Sequence, residues 1–270
     1  CEQGRNFSNK IWNALRLLKS QRVEDIPQSE SSRLAGEWMK NKMNDTLRLL
    51  NDDFSKYRLS EALMRVYKFV WDDFCSWYLE IIKPAYQMPM DKATYETVLD
   101  IFEDLMKILH PFMPFVSEEI YHLIRERENK DFLMLAKMPA AGEVDEKLLS
   151  DFEFVQDFVV GIRTIRNEKN IPQKTALEVY YAQSAGADVV AKYSDMIIKL
   201  CNLKTLAACS QKVEKAIAKM VGTMEIFVPL ADSINKDEEV KKIMADIKYF
   251  EGFKASVEKK LSNESFVGKA

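Results

Sequence analysis

The segment Gly4–Lys19, GRNFSNKIWNALRLLK, is typical of one amphipathic helix with two different faces. Large apolar side chains recur at helical spacing and predict a face that packs on a core: Phe7, Ile11, Leu15 and Leu18. The remaining surface is cationic and rich in amides: Arg5, Lys10, Arg16 and Lys19, with Asn9 and Asn13. Such a face suits RNA, because Arg and Lys bind phosphate and Asn hydrogen-bonds base edges. A plain solvated helix face has the same composition, so the residues alone leave both interpretations open.

The bulk composition indicates an ordinary folded protein. A length of 270 residues allows one large domain or two smaller ones, and 47% apolar with 30% charged residues excludes a disordered chain. The net charge of -3 means that any contact with nucleic acid must come from local basic patches. We expect no membrane span and no signal peptide, and a cytoplasmic protein with free thiols, since the four cysteines form no CxxC pair. The first residue is Cys1 rather than Met, which suggests a piece of a longer chain.

Residues 1–130 are predicted to form an antiparallel helix bundle, because long apolar stripes are joined by short links. The second helix should be capped by Ser31 or Ser32, and Pro84 should end the third. The five predicted helices are Gly4–Lys19, a second from this cap to about Asp53, Leu59–Ile82, Lys92–Leu109, and a last one after Pro111 and Pro114 to about Arg127.

Residues 131–150 lose the helical period and are interpreted as a linker, and residues 151–230 as a small α+β domain. Gly222-Thr223 has the form of a two-residue hairpin turn. The predicted elements of this domain are helices over Asp151–Lys169 and Asp188–Asn202, strands over Ala176–Ala182 and Lys204–Cys209, and a hairpin over Lys215–Pro229.

Residues 231–270 carry a heptad pattern that predicts one helix of a coiled coil. One seam position holds Val240, Ile247 and Leu261, and the other holds Ile243, Phe250 and Val257. Since so narrow a stripe needs a partner helix, we expect this helix to pair with another copy of the chain or to fray.

Four segments resemble the valyl-tRNA synthetases, which are class I aminoacyl-tRNA synthetases, and occur in the same order as in that family. GRNFSNKIWNALRLL resembles the helix that opens the family's anticodon-binding domain. The others are WYLEIIKP (Trp77–Pro84), LHPFMPFVSEEIY (Leu109–Tyr121) and KKLSNESFVGKA (Lys259–Ala270). The resemblance implies an anticodon-binding helix bundle, a small α+β domain, and the first helix of a coiled-coil arm whose returning helix is missing. The family's catalytic domain has no counterpart in this sequence.

The resemblance also implies two sets of tRNA contacts. Residues of the first and third helices would meet the anticodon loop: Arg5, Lys10, Asn13, Arg16, Tyr78, Glu80 and Lys83. Basic residues of the α+β domain and the arm would contact the tRNA body: Arg163, Arg166, Lys169, Lys254, Lys259 and Lys260. Asn13 and Glu80 can hydrogen-bond a base edge, and Tyr78 could stack on a base. Each has an ordinary alternative, as a core or rim aromatic, a surface ion pair or a solvated lysine.

The implied function is recognition of valine tRNA, with the rest of the synthetase chain as the second partner. Aminoacylation with ATP and Mg²⁺, and editing of threonine, would belong to the missing domains, so this chain itself is expected to bind no cofactor and to catalyse nothing. KLSNES (Lys260–Ser265) is only superficially like the family's K-M-S-K-S loop, and no H-I-G-H motif or Gly-rich phosphate loop occurs. The alternatives are the matching region of an isoleucyl- or leucyl-tRNA synthetase and a helical protein–protein scaffold.

Overall fold

The computed structural model describes residues 2–229, 244, 247–255 and 257. The first half of the chain is helical, and each helix predicted there is present. Its elements are α1 (Glu2–Lys19), α2 (Glu30–Ser55), α3 (Leu59–Lys68), a π-helical segment (Phe69–Tyr78), α4 (Leu79–Ile82), α5 (Lys92–Leu109) and α6 (Pro114–Ile124). The last predicted helix therefore ends at Ile124 rather than near Arg127.

The start of α2 differs from the prediction. Ser29, and neither Ser31 nor Ser32, caps the helix, because the Ser29 hydroxyl accepts a hydrogen bond from the Ser32 amide at 3.1 Å. The α5 helix has the predicted bounds, and the Asp91 carboxylate caps it by accepting from the Thr94 amide at 2.7 Å. In both cases a polar side chain satisfies an amide that the first helical turn leaves without a partner.

The helix from α3 through the π-helical segment to α4 is continuous, as predicted over Leu59–Ile82, but its middle is wound as a π-helix. Helix α1 runs beside it in the same direction, which is also the relation between the first and third helices of an up-and-down bundle. Phe7 near the start of α1 contacts Tyr67 and Trp71, and Leu18 near its end lies beside Ile82. Two short strands that follow these helices, β1 (Val23–Glu24) and β2 (Met90–Asp91), also pair in parallel.

After a 3₁₀ turn at Leu133–Leu135, the chain forms the predicted α+β part. Its elements are α7 (Glu146–Glu168), β3 (Leu177–Ala182), α8 (Ala187–Lys192), α9 (Ser194–Cys201), β4 (Leu203–Cys209), β5 (Ala216–Val221) and β6 (Met224–Pro229). The strand order is β4-β3-β6-β5, with β3 and β4 parallel and β6 antiparallel to its neighbours. The predicted second helix is divided at Tyr193 into α8 and α9.

Two glycines shape this sheet and its cover. Gly222 has a φ of +55° in the two-residue turn between Val221 and Met224, which confirms the predicted hairpin. Gly161 lets α7 lie flush on β5, since a Cβ there would come within 2.6 Å of a Val221 methyl. The sheet thus packs closely against the helix that precedes it.

One apolar core runs through both parts of the chain. Trp38 of α2 stacks on Phe152 of α7 with ring centroids 3.9 Å apart. The segment predicted as a linker is held against α2, because the Asn41 amide group donates to the Asp145 carbonyl and accepts from the Asp145 amide, both at 2.8 Å. Helix α7 begins at Glu146, ahead of the predicted start at Asp151. The α+β part is therefore braced on the bundle.

Most of the predicted coiled-coil helix lies outside the described residues. Residues 247–255 are helical, and the seam residues Ile247 and Phe250 are exposed, at 52% and 64%. Pairing of this helix with another copy stays a prediction.

Candidate nucleic-acid interface

The outer face of α1 presents the polar groups that the sequence predicted. Phe7, Ile11, Leu15 and Leu18 are buried, and this fixes the opposite face toward solvent. Arg5, Asn13 and Arg16 are exposed there. Arg5 forms a solvent-exposed ion pair with Glu2 at 3.8 Å, which is weak enough to exchange for a phosphate. The face is therefore open to a polyanion.

Lys10 lies at the border between α1 and the π-helical segment. Its Nζ is 5.3 Å from the centre of the Trp71 ring, and Trp71 itself stacks on Tyr67. A lysine in this position keeps its charge while its stem is held against an aromatic surface. Lys10 is half-buried, whereas Arg5 and Arg16 are exposed.

The end of α4 supplies a second set of polar groups beside α1. Glu80 and Lys83 are exposed and form an i,i+3 ion pair at 3.8 Å. Leu17 and Leu18 of α1 share a small apolar crevice with Leu79, Ile82 and Lys83. The structure therefore brings the Arg16 end of α1 next to α4, whereas Arg5 lies roughly 16 Å further along the helix. We name this surface the α1–α4 edge and define it by the following exposed or half-buried residues: Arg5, Lys10, Asn13, Arg16, Glu80 and Lys83.

Tyr78 does not belong to the α1–α4 edge, and the prediction that it stacks on a base is wrong. Its side chain is 0% exposed and packs on Phe74, with ring centroids 5.9 Å apart. Burial raises the pKa of its hydroxyl well above the ordinary value, and that hydroxyl has no hydrogen-bond partner within the described residues. A fully enclosed ring offers no face to a nucleotide.

Arg166 is also buried, so the prediction that it contacts tRNA is wrong. The side chain is 1% exposed, and its guanidinium donates to the carbonyls of Pro172 at 3.0 Å, Cys201 at 2.8 Å and Asn202 at 3.2 Å. Desolvation lowers its pKa from the ordinary value. Arg166 instead ties the end of α7 to the end of α9.

The neighbouring cations of α7 are only partly available. The Arg163 guanidinium carbon lies 5.4 Å from the centre of the Trp77 ring, and Arg163 and Lys169 are both half-buried. Arg163 thus braces α7 against the π-helical segment. Of the predicted arm residues, Lys254 is exposed on the tail helix, and Lys259 and Lys260 lie outside the described residues.

The α1 face contains two further groups that can contact RNA. Asn9 is exposed one turn before Asn13, and the Trp12 ring is 37% exposed. An exposed indole beside amides and cations can stack on an unpaired base. The signal for them was present in the sequence, since neither falls on the apolar stripe of α1.

The thiols and histidines of the described part have structural surroundings. Burial raises the pKa of Cys75 and of Cys201 to about 12, so neither thiol is an activated nucleophile. His110 ends α5, and its Nδ1 lies 2.9 Å from the Ser117 hydroxyl, as expected for a helix-end residue. Within the described ranges no cluster of three or more His, Cys, Asp or Glu side chains could hold a metal ion, and no described helix could cross a membrane.

Comparison with known proteins identifies the family of this fold. The model of the anticodon-binding domain of tRNA ligases matches residues 36–181, which is more than half of the chain. This chain belongs to that family. The match runs from within α2 to within β3, so it includes the π-helical segment, α4 and the joint between the bundle and the α+β part.

Curated relatives match the chain from end to end. Valine–tRNA ligase of Phocaeicola vulgatus is 51% identical over 270 residues, that of Parabacteroides distasonis 49% over 271, and that of Porphyromonas gingivalis 44% over 270. Each alignment covers 100% of this chain and 30% or 31% of the relative. The chain thus spans about a third of the length of the curated relatives it matches.

Proposed function

We propose that this chain is the tRNA-binding region of a valine–tRNA ligase and that its α1–α4 edge contacts the anticodon loop of valine tRNA. The observation that carries the proposal is that the end of α1, whose exposed face bears cations and amides, lies against the end of α4, where Leu17 and Leu18 share a crevice with Lys83. The names of the full-length matches support valine as the amino acid.

The chemistry of the edge suits an exposed RNA loop. Arg5, Lys10, Arg16 and Lys83 supply point charges for phosphates. Asn13 can donate to and accept from a base edge, and Glu80 can accept from an exocyclic amine once its weak ion pair with Lys83 opens. Trp12, rather than the buried Tyr78, would provide the stacking surface.

A second set of contacts with the tRNA body is proposed for Arg163, Lys169 and the tail lysines Lys254, Lys259 and Lys260. Joining of valine to its tRNA would be performed in the cytoplasm by the remainder of the longer protein. The sites for ATP and Mg²⁺ are assigned to that remainder as well.

Two other functions are less well supported. A scaffold would use the heptad helix and would leave the α1–α4 edge without a ligand. The matching region of an isoleucyl- or leucyl-tRNA synthetase is disfavoured because the full-length relatives carry the name valine–tRNA ligase.

The test is binding of labelled valine tRNA at low salt, with the same tRNA carrying altered anticodon bases as competitor. We expect the native anticodon to bind more tightly, and the double variant Asn13→Ala/Arg16→Ala to lose that preference. Arg48→Ala/Asn51→Ala is the matched control, because it removes the same two residue types, also three positions apart, from the exposed surface of α2.

Equal binding of both tRNAs by the unaltered protein would contradict anticodon recognition. A loss of preference in the α2 control as large as that in the α1 variant would contradict the assignment to this face. Binding of each phosphate by the wild-type protein should steepen the dependence of log K on log salt by about 0.7 to 0.9, whereas a scaffold would show no such dependence.

A further inference from the structure

The α+β part reaches across to the end of α4 through one lysine. Lys199 of α9 points its Nζ at the last turn of α4 and donates to the carbonyls of Ile81 and Lys83, each at 2.5 Å. These carbonyls lie at the end of the helix, where no backbone amide of a following turn donates to them, because Pro84 ends the helix. A cation at this point also opposes the negative end of the helix dipole.

The surroundings of Lys199 favour this contact over solvation. Desolvation lowers the pKa of its ammonium group, although the residue as a whole is exposed. Within the described residues its hydrogen bonds go to backbone carbonyls and none goes to a carboxylate, while Glu80 on α4 acts on its charge electrostatically. Lys199 therefore binds the backbone at the end of α4 and does not pair with a neighbouring charge. Such a contact fixes the position of the helix end.

Two further cations contact the same helix. The Arg163 guanidinium of α7 lies 5.4 Å from the centre of the Trp77 ring, one turn before Ile81. The Lys10 ammonium of α1 lies 5.3 Å from the centre of the Trp71 ring. The stretch that leads to Glu80 and Lys83 is therefore clamped between α1 and the α+β part, and Lys199 makes the final contact.

We propose that Lys199 is a positioning residue for the α1–α4 edge: by binding the carbonyls of Ile81 and Lys83 it sets where Glu80 and Lys83 stand relative to Asn13 and Arg16. The inference rests on the proposed function, since it assigns a geometric role within that same edge. It also gives the α+β part a role in anticodon discrimination without contact between Lys199 and RNA.

The experiment compares Lys199→Met, Lys199→Arg and Lys204→Met in the anticodon competition assay, each over a series of salt concentrations. Methionine keeps the length of the stem and removes the donors, whereas arginine can still donate to two carbonyls. Lys204 is the matched control, because it is an exposed lysine of the same part of the chain that pairs with Glu178 at 3.2 Å and makes no described contact with α4.

Lys199→Met should weaken the preference for the native anticodon by roughly tenfold, the effect of losing a charged hydrogen-bond donor, while the salt slope stays unchanged. Lys199→Arg should restore most of the preference, and Lys204→Met should leave it intact. Hydrogen exchange of the amides of residues 81–83 should accelerate in Lys199→Met only.

Three results would overturn the inference. A salt slope that falls by about 0.7 to 0.9 in Lys199→Met would show that Lys199 itself binds phosphate. A lower melting temperature with the anticodon preference unchanged would show a role in stability alone. Absence of any preference in the unaltered protein would overturn the proposed function and, with it, this inference. If the methionine variant does not fold, the arginine variant decides: loss of the preference in a folded Lys199→Arg protein would contradict the proposal.

Discussion

Replacement of Asp73 by asparagine should stabilise this protein at neutral pH. Asp73 lies in the π-helical segment and lines an open cleft of about 360 Å³ between α2 and α3, where it makes no hydrogen bond or ion pair with the described residues. Desolvation raises its pKa from 3.8 to about 6, and Lys42 only partly offsets this effect. The folded state therefore holds the charged carboxylate less well than the unfolded chain does.

The size of the effect follows from that pKa. A tenfold change in proton affinity corresponds to ~1.4 kcal/mol, so a pKa raised from 3.8 to about 6 destabilises the folded protein by ~3 kcal/mol once Asp73 is ionised in both states. This destabilisation is small below pH 4, grows as the pH rises from about 4 to 6, and is complete above about pH 7. Because asparagine keeps a buried polar group, we expect a net gain of ~1–2 kcal/mol for Asp73→Asn at pH 7.5 and almost none at pH 4.

The assay is urea unfolding of Asp73→Asn and Asp72→Asn at pH 4 and pH 7.5. Asp72 is the exposed neighbour, and its variant removes the same charge, so the difference between the two variants cancels the effect of net charge. Asp72 acts on the pKa of Asp73 less than desolvation or Lys42 does, so its variant should change stability little. A pH-independent difference, or a less stable Asp73→Asn at pH 7.5, would refute the account of a desolvated, unpartnered carboxylate.

Two further substitutions test the packing of the α+β part. Arg166→Met should lower the free energy of unfolding by roughly 2–3 kcal/mol, because it leaves the carbonyls of Pro172, Cys201 and Asn202 without their donor. The protein that remains folded should bind tRNA with an unchanged salt slope. A smaller slope would show that Arg166 contacts phosphate after all. Gly161→Ala should destabilise the folded protein by about 1–3 kcal/mol in thermal unfolding, since the new Cβ would overlap Val221. Gly4→Ala is the control, and it should be neutral or slightly stabilising because nothing lies within 4 Å of the added Cβ. Equal effects of the two substitutions would contradict close packing of α7 on β5.

Helical periodicity located the elements of this protein because their buried stripes are long. The apolar residues of α5 recur without interruption between Asp91 and His110, and the predicted bounds are those observed. The turn at Gly222 could also be predicted from the sequence, since a two-residue hairpin requires a residue that tolerates positive φ. The π-helical winding of Phe69–Tyr78 was not, because its apolar pattern also fits an α-helix.

The exposure of the candidate residues was predicted well where a helix has one buried face and poorly where it has several. On α1 the apolar stripe leaves Arg5, Asn13 and Arg16 outside, as observed. Tyr78 was misassigned because the sequence does not reveal that α2 covers the other side of that helix. Arg166 was misassigned because each step of three residues falls about 60° short of a full helical turn. Arg166 therefore lies among Ile162 and Ile165, while Arg163 and Lys169 lie nearer the surface.

The relative positions of the two parts of the chain could not be predicted from periodicity. The contacts that join them are single long-range pairs, such as Trp38 with Phe152 and Lys199 with the end of α4. The apolar pattern of one helix does not identify the residues of another helix that it contacts. For this reason the segment between the parts was interpreted as a linker, although Asn41 and Asn44 bind its backbone.

The most direct test of the central claim is the ratio of affinities for native and anticodon-altered valine tRNA, measured for the wild-type chain and for Asn13→Ala/Arg16→Ala. A ratio well above one that falls to one in this variant, and persists in Arg48→Ala/Asn51→Ala, is the result we predict for an α1–α4 edge that contacts the anticodon. A ratio of one in the wild-type chain, or one that the α1 substitutions leave unchanged, would contradict it.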